Sequence, residues 1–265
     1  MKTKDFPKRL LGSLVPDRMK RCFQEKLFSS LRLNWRLNSG IELEVLSTTD
    51  WSLLNDIFVE GEYDGAIQLL VGRIKANGAG VVVNLGANVG FFELRLFQLL
   101  HRTGLSPGQV KVYSFEPDEE NIQEFHRRVS KAGPWHATVT AVRALVGQQK
   151  SGQATYWKSH NHHSCTAKAG RKYAGAWEVS ADYVDVESAV PCGPVDLLKC
   201  DIEGAEWDFV QGYPELLKRT TAGVFEIHDP REVDKIREAL RQVGLSHEQI
   251  VADRSTNSVH LFSRP

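Results

Sequence analysis

Short β-branched runs alternate along this chain with longer segments in which apolar side chains recur at helical spacing. The apolar runs predict five strands, each followed by a helical segment: Val81–Leu85, Val110–Phe115, Ala137–Leu145, Val195–Cys200 and Ala222–Ile227. Two further runs, Gln249–Ala252 and Val259–Phe262, predict a terminal hairpin. Five strand–helix steps and a final hairpin predict an α/β fold with a doubly wound, mostly parallel sheet and a terminal antiparallel hairpin.

The chain before the first of these strands has a different composition. Residues 1–36 contain ten Lys or Arg and three Asp or Glu, interleaved with apolar residues. This pattern predicts a basic N-terminal helical extension, which could meet a membrane surface or an anionic substrate, or pack on the main domain. We favour packing. A hairpin around Asn38–Gly40 completes an extension over 1–48, and the main domain is predicted over 49–265.

Residues 147–182 interrupt the strand–helix pattern and predict a polar insertion. Two strand candidates, Ala154–Trp157 and Trp177–Ser180, flank a loop rich in metal-binding residue types: His160, His162, His163 and Cys165. Three histidines within four residues cannot easily face one ion, and no second ligand cluster accompanies them. We therefore expect no metal there, and a mobile lid over the substrate instead.

Composition narrows the class of protein. The formal net charge of the 265 residues is zero, so no global electrostatic footprint for nucleic acid exists. No run of 18 apolar residues occurs, and no apolar signal-peptide segment lies near the N-terminus. The four cysteines are scattered. A reduced, cytoplasmic protein is expected, and the oligomeric state stays open.

The stretch around the first parallel strand carries the most specific chemistry. Gly86 and Gly90 allow a tight turn between a strand and a helix, with helix N–H groups facing a crevice. A dinucleotide fingerprint would require glycine at the positions of Asn88 and Phe91, and no phosphate-binding Gly-Lys-Ser/Thr follows. Gly-x-x-x-Gly instead resembles motif I of S-adenosylmethionine-dependent methyltransferases, although another α/β protein could carry such a turn.

Four motifs in order resemble the FkbM-type family of class I methyltransferases. They are Asn84–Gly90, Phe115–Pro117, Leu198–Glu206 with its Asp-x-Glu-Gly-x-Glu pattern, and Phe225–His228. The resemblance implies a Rossmann-like sheet, S-adenosylmethionine as cofactor, and O-methylation of a hydroxyl on a small molecule such as a secondary metabolite or sugar. N-methylation of a small molecule and a non-catalytic cofactor-binding partner protein remain alternatives. The motif of DNA amino-methyltransferases is absent after the fourth parallel strand, which argues against nucleic acid.

The resemblance also implies a cofactor site. Its residues would be Asn84, Gly86, Ala87, Asn88, Gly90, Glu116, Pro117, Ala144 and Asp201. Glu116, at the tip of the second parallel strand, is expected to accept hydrogen bonds from the ribose, with helix capping as its alternative role. The family usually has an acidic residue where this chain has Asn84, so the charge that attracts the cofactor would come from elsewhere.

The carboxyl ends of the later strands supply the candidate catalytic residues. His228 is the candidate general base, although a structural histidine held by neighbouring backbone is an equal alternative. Asp201 and Glu203 are expected to orient the acceptor or to hold a divalent ion. Magnesium is allowed but not favoured. The role of Glu206 stays open, because a carboxylate in a first helical turn is favourable for structural reasons alone.

Overall fold

The computed structural model describes residue 26 and residues 30–31, 33–159, 162–166 and 177–265. The basic helices predicted over 1–36 fall largely outside these residues. Among the described residues, no helix has both the length and the apolar character needed to cross a membrane.

Strands and helices alternate as the apolar pattern predicted. The strands are β1 (Leu33–Arg36), β2 (Glu42–Val45), β3 (Gly80–Leu85), β4 (Val110–Glu116), β5 (Val139–Arg143), β6 (Gln153–Ser159), β7 (His162–Thr166), β8 (Trp177–Asp182), β9 (Leu197–Cys200), β10 (Ala222–Ile227), β11 (His247–Asp253) and β12 (Ser258–Ser263). The helices are α1 (Thr48–Leu54), α2 (Asp64–Asn77), α3 (Phe91–Arg102), α4 (Glu119–Val129), α5 (Val186–Ala189), α6 (Glu206–Gly212), α7 (Pro214–Lys218) and α8 (Val233–Gln242). A π-helical segment, Asn55–Val59, continues α1.

Seven strands form the central sheet, in the order β11-β12-β10-β9-β3-β4-β5. The five strands from β10 to β5 pair in parallel, and β12 pairs antiparallel with both β10 and β11. The strand order reverses between β3 and β9. A crevice forms at such a reversal, beyond the carboxyl ends of the strands. The doubly wound sheet with its terminal hairpin is therefore confirmed.

Side chains that alternate along β3 explain why helices cover both faces of the sheet. Val82 belongs to a core cluster with Leu70 and Phe97, from α2 and α3. Its neighbour Val83 belongs to a second cluster with Phe209, from α6. Successive strand residues point to opposite faces, so a strand that is apolar at nearly every position must be covered on both sides.

The insertion is a separate antiparallel sheet in the order β7-β6-β8. Its two predicted strands are confirmed, with longer bounds. The expectation of a continuous His-rich loop is wrong, because His162–Thr166 forms β7 and pairs with β6. Cross-strand pairing decides this conformation, and the polar sequence gave no apolar alternation to signal it. His160 lies outside the described residues, and the lid role stays a prediction.

The predicted hairpin before the main domain is β1 paired with β2. Ile41, Leu43 and Val45 are buried and belong to the same core cluster as α2 and α3. The hairpin therefore packs on the central sheet's helices, and a division of the chain at residue 48 stays a prediction.

Candidate active site

The loop after β3 is held against the tips of both neighbouring strands. The N–H groups of Gly86 and Ala87 donate to the Phe115 carbonyl at 3.0 and 2.9 Å. Gly86 has φ +79°, and a Cβ there would lie 1.7 Å from the carbonyl oxygen of Asp201. Gly90, with φ +91°, is the N-cap of α3. The loop can follow this path because both turning positions are glycine.

Asn84 lies beneath this loop and not in it. Its side chain is fully buried, and its Nδ2 donates to Glu93 Oε1 at 2.6 Å. The Ser114 hydroxyl donates to the same oxygen at 2.6 Å. Burial raises the pKa of Glu93. The residue that replaces the usual acid therefore makes a buried amide–carboxyl contact under α3.

A first cavity opens beside the loop, at the carboxyl ends of β3, β4, β5 and β9. Its walls are formed by Gly86, Asn88, Phe115, Glu116, Pro117, Ala144, Leu145, Val146, Asp201, Ile202, Glu203 and Ala205. Six of the nine predicted cofactor residues are among them: Gly86, Asn88, Glu116, Pro117, Ala144 and Asp201. In the described part of the chain, the other three predicted residues do not line this cavity: Asn84, Ala87 and Gly90.

Glu116 is a buried carboxylate that supports the loop. Its Oε2 accepts from the Asn88 N–H at 2.8 Å, and its Oε1 accepts from the Asp118 N–H and Asn121 Nδ2, each at 3.1 Å. A carboxylate has about four acceptor positions, so the carboxylate can accept one further donor. Burial raises its pKa to about 7, against the hydrogen bonds. The cap of α4 is Asp118, whose Oδ1 accepts from two helix N–H groups.

The same Asp118 joins the insertion to the site. It accepts from the Tyr156 hydroxyl at 3.0 Å and from Lys158 Nζ at 2.9 Å, and all three side chains are buried. Because Asp118 follows Pro117 on the cavity wall, the insertion sheet is fixed next to the first cavity.

A second cavity, of about 250 Å³, lies on the other side of the loop. Gly86, Asn88, Asp201 and Glu203 line both cavities. The second wall is rich in charge, with the carboxylates Asp56, Glu62, Asp201, Glu203 and Glu226 and the cations Lys199 and Arg254. The four shared residues are where two ligands, one in each cavity, would meet.

Two charged wall residues were missed by the sequence reasoning. Lys199 is 3% exposed, and its Nζ donates to the Gly86 carbonyl at 2.9 Å and pairs with Asp201 Oδ2 at 3.2 Å. A lysine inside an otherwise apolar central strand was the available signal. Arg254, from the turn of the terminal hairpin, contacts Glu62 Oε1 at 2.8 Å. Burial raises the pKa of Glu62 to about 7.

His228 lies behind the second cavity among three carboxylates. Its Nδ1 is 3.0 Å from Glu206 Oε1, and its Nε2 is 3.5 Å from Glu203 Oε2 and 3.7 Å from Glu226 Oε1. Burial lowers the pKa of His228, but the hydrogen bond to Glu206 and the neighbouring carboxylates outweigh it and raise the pKa to about 10. The ring is then positively charged near neutral pH.

Two carboxyl groups lie in front of His228, and the pKa of each is raised above its ordinary value. Burial raises the pKa of Glu203 to about 7 and that of Glu226 to about 8, with the charge of His228 opposing both shifts. Glu226 also accepts from Asn257. Glu203 lines both cavities, whereas His228 lines neither of them in the described part of the chain.

Asp201, Glu203 and His228 are brought together as the sequence predicted. One ligand atom from each lies within 4.8 Å of the others, a spacing that a divalent ion could bridge. Lys199 is already paired with Asp201, and Glu206 with His228, so the structure supplies internal partners for two of the three.

Comparison with known proteins also points to a methyltransferase. The family model described as the methyltransferase FkbM domain matches residues 84–246, which is more than half of the chain. No curated protein sequence matches.

Solved structures similar to this chain were also found. The FkbM methyltransferase of Methylobacillus flagellatus is 14% identical, with 93% of this chain and 60% of that chain covered and a TM-score of 0.49. The N-terminal domain of human METTL16 in complex with SAH is 12% identical, with coverages of 97% and 98% and a TM-score of 0.47. The N-terminal domain of EvdMO1 with SAH bound is 12% identical, with coverages of 96% and 100% and a TM-score of 0.45.

The family-model match confirms the resemblance drawn from the four motifs. It spans the glycine loop, the tip of β4, the Asp-x-Glu-Gly-x-Glu segment and the end of β10. This chain belongs to the FkbM family of S-adenosylmethionine-dependent methyltransferases.

Proposed function

We propose that this protein transfers a methyl group to a hydroxyl oxygen of a small polar molecule. The observation that carries the proposal is the wall shared by the two cavities, where Asp201 and Glu203 face both. A cofactor in the first cavity and an acceptor in the second would meet at these carboxylates.

We assign the cofactor to the first cavity. Gly86, Asn88, Pro117 and Ala144 line its wall, and Glu116 retains acceptor capacity for a ribose hydroxyl. S-adenosylmethionine supplies an electrophilic methyl group on a positively charged sulfur. Because Asn84 faces Glu93, we assign attraction of that charge to Asp201 and to the ionised fraction of Glu203, which line both cavities.

The second cavity favours a polar, hydroxylated acceptor. Its five acidic side chains supply many oxygen atoms that can accept hydrogen bonds from hydroxyl groups. This lining, together with the zero net charge of the chain, supports a hydroxylated metabolite or sugar over a nucleic acid.

We assign the role of receiving the hydroxyl proton to Glu203. It lines both cavities, while His228 lies behind it. The Glu203 carboxylate would take the O–H proton of an acceptor whose oxygen is methylated, and the cofactor, held by the residues of the first cavity, would supply the methyl group and leave as the neutral sulfide. His228, which the sequence suggested as the base, would stabilise the ionised form of Glu203 by its charge. Asp201, fixed by Lys199, orients the acceptor.

The experiment has two stages. Calorimetric titration with S-adenosylhomocysteine tests the first cavity, and a survey of hydroxylated metabolites, paired with amine analogues, then tests the acceptor. With the best acceptor, Glu203→Gln should lower kcat by about 10²–10⁴-fold. An N-methylated product would establish the N-methyltransferase alternative, and cofactor binding without any turnover would favour a non-catalytic protein.

A further arm tests the metal alternative. We expect chelator to leave kcat unchanged, because Lys199 and Glu206 already satisfy Asp201 and His228. Activity that chelator abolishes and magnesium restores would transfer the activating role to an ion held by these residues.

A further inference from the structure

Glu206 is a buried carboxylate that takes no part in the proposed proton transfer. It is the first residue of α6, and its exposed fraction is 0%. A carboxylate in a first helical turn usually faces the N–H groups of its own helix. Glu206 instead points away from its helix, toward the preceding loop and toward β10.

One oxygen of Glu206 makes three contacts. Oε1 accepts from the N–H of Gly204 at 2.9 Å and from that of Ile202 at 3.3 Å, and it lies 3.0 Å from Nδ1 of His228. The first two contacts fix the loop between β9 and α6, and the third fixes a ring that follows β10. A single atom therefore joins two neighbouring strand ends of the sheet.

The loop that Glu206 holds has an unfavourable backbone conformation. Glu203 has φ +53°, and Gly204 has φ +100°. The left-handed region costs a non-glycine residue roughly 1–2 kcal/mol, so Glu203 needs partners that keep it there. The two N–H groups bound by Glu206 flank Glu203 in sequence. With His228 oriented from behind, the Glu203 side chain faces both cavities.

We propose that Glu206 is a positioning residue for methyl transfer, which holds Glu203 through the loop and through His228. This inference rests on the proposed function of the site. The inference predicts that the effects of replacing Glu206 and His228 on kcat are coupled. A residue that acts through His228 has little left to contribute to kcat once His228 is replaced.

The test is a double-mutant cycle with Glu206→Gln and His228→Gln. Glutamine keeps an oxygen for the loop but loses the charge that binds the ring. We expect Glu206→Gln to lower kcat by about 10–100-fold, since displacements near 1 Å can cost about 10²-fold. The dissociation constant of S-adenosylhomocysteine should change by less than about threefold. In the His228→Gln background, the same change should lower kcat by less than about threefold.

Asp208→Asn is the matched control, because Asp208 is an exposed carboxylate in the first turn of the same helix. It should leave kcat unchanged and lower the melting temperature by no more than about 1–4 °C, because a first-turn carboxylate contributes about 0.3–1 kcal/mol. Equal losses of kcat for Glu206→Gln in both backgrounds would overturn the proposal, as would a kcat that does not change.

A readout without turnover separates this inference from the proposed function. In protein with labelled histidine, the Nδ1–H of His228 should give a deshielded, slowly exchanging NMR signal that Glu206→Gln shifts and Asp208→Asn does not. An unshifted signal would contradict the positioning role even in an active enzyme. A shifted signal in a protein that fails to bind S-adenosylhomocysteine would uphold the contact and refute the proposed function.

Discussion

The contact between Gly86 and the tip of β9 provides a quantitative test of how the loop is held. In Gly86→Ala, the new Cβ would lie 1.7 Å from the Asp201 carbonyl oxygen, and φ +79° is unfavourable for alanine. Real Cβ atoms essentially never approach closer than 3.0 Å. The loop and the tip of β9 must therefore separate by about 1.3 Å, the difference between these two distances. Lys199 bridges the same two segments and would lose its geometry.

The cost has two parts that a control can separate. Overpacking of this kind costs about 1–3 kcal/mol, and the left-handed backbone adds about 1–2 kcal/mol. Gly104 has φ +80° and no atom within 4 Å of its ideal Cβ. Gly104→Ala therefore incurs only the backbone part. A loss of 1 kcal/mol lowers the melting temperature by about 2–4 °C in a protein of this size.

Thermal unfolding and calorimetry would measure the two effects. We expect Gly86→Ala to lower the melting temperature by about 4–20 °C and Gly104→Ala by about 2–8 °C. Binding of S-adenosylhomocysteine should weaken at least about tenfold in Gly86→Ala, since misplacement near 1 Å has large effects, and stay unchanged in Gly104→Ala. Equal melting temperatures and equal affinities in the two variants would refute the reasoning.

Three other predictions follow from the buried carboxyl groups. Glu116→Gln should weaken S-adenosylhomocysteine binding by about 1–3 kcal/mol, measured by calorimetry, and an unchanged dissociation constant would exclude the ribose contact. Because burial raises the pKa values of Glu116, Glu203 and Glu226 to between about 7 and 8, these groups keep protons that the unfolded chain releases near pH 4.5. The free energy of unfolding without cofactor should therefore fall between about pH 5 and about pH 8; urea titrations that show the reverse would contradict the raised values. Lys158→Met removes the ion pair with Asp118 and should lower stability by about 1–3 kcal/mol, with faster proteolysis in the insertion; unchanged proteolysis would show that the sheet docks by other contacts.

The sequence was sufficient to predict the central sheet, because the apolar pattern is strong in its strands. Val81–Leu85 is apolar at nearly every position, and the structure extends this run by one residue to Gly80–Leu85. The end of a helix is also encoded in the sequence, because a glycine after a helical apolar run is a stop signal: Gly78 has φ +85° and caps α2. β7 was missed because its sequence is polar and its conformation depends on pairing with β6, which local propensity does not reveal.

The site was predicted in part, for a related reason. Residues at strand tips, such as Asp201 and His228, could be placed from topology, since parallel strands end at one edge of a sheet. The direction in which each side chain points could not be predicted from the sequence. Asn84 points toward Glu93, which lies nine positions along the chain in another element, and Arg254 reaches the site from a hairpin turn that carries no motif. Such contacts depend on tertiary packing, which spacing in the sequence does not record.

The left-handed backbone of Glu203 bears on how the protein could be engineered. Among the described residues, only Asn88 and Glu203 combine a side chain with positive φ, and both line the two cavities. Glycine at 203 would relieve the conformational cost, so a selection for thermostability alone would favour Glu203→Gly and remove the carboxylate that we propose as the proton acceptor. Stability and activity thus oppose each other at this position, and consensus-style stabilisation of this enzyme should be directed to surfaces distant from the loop between β9 and α6.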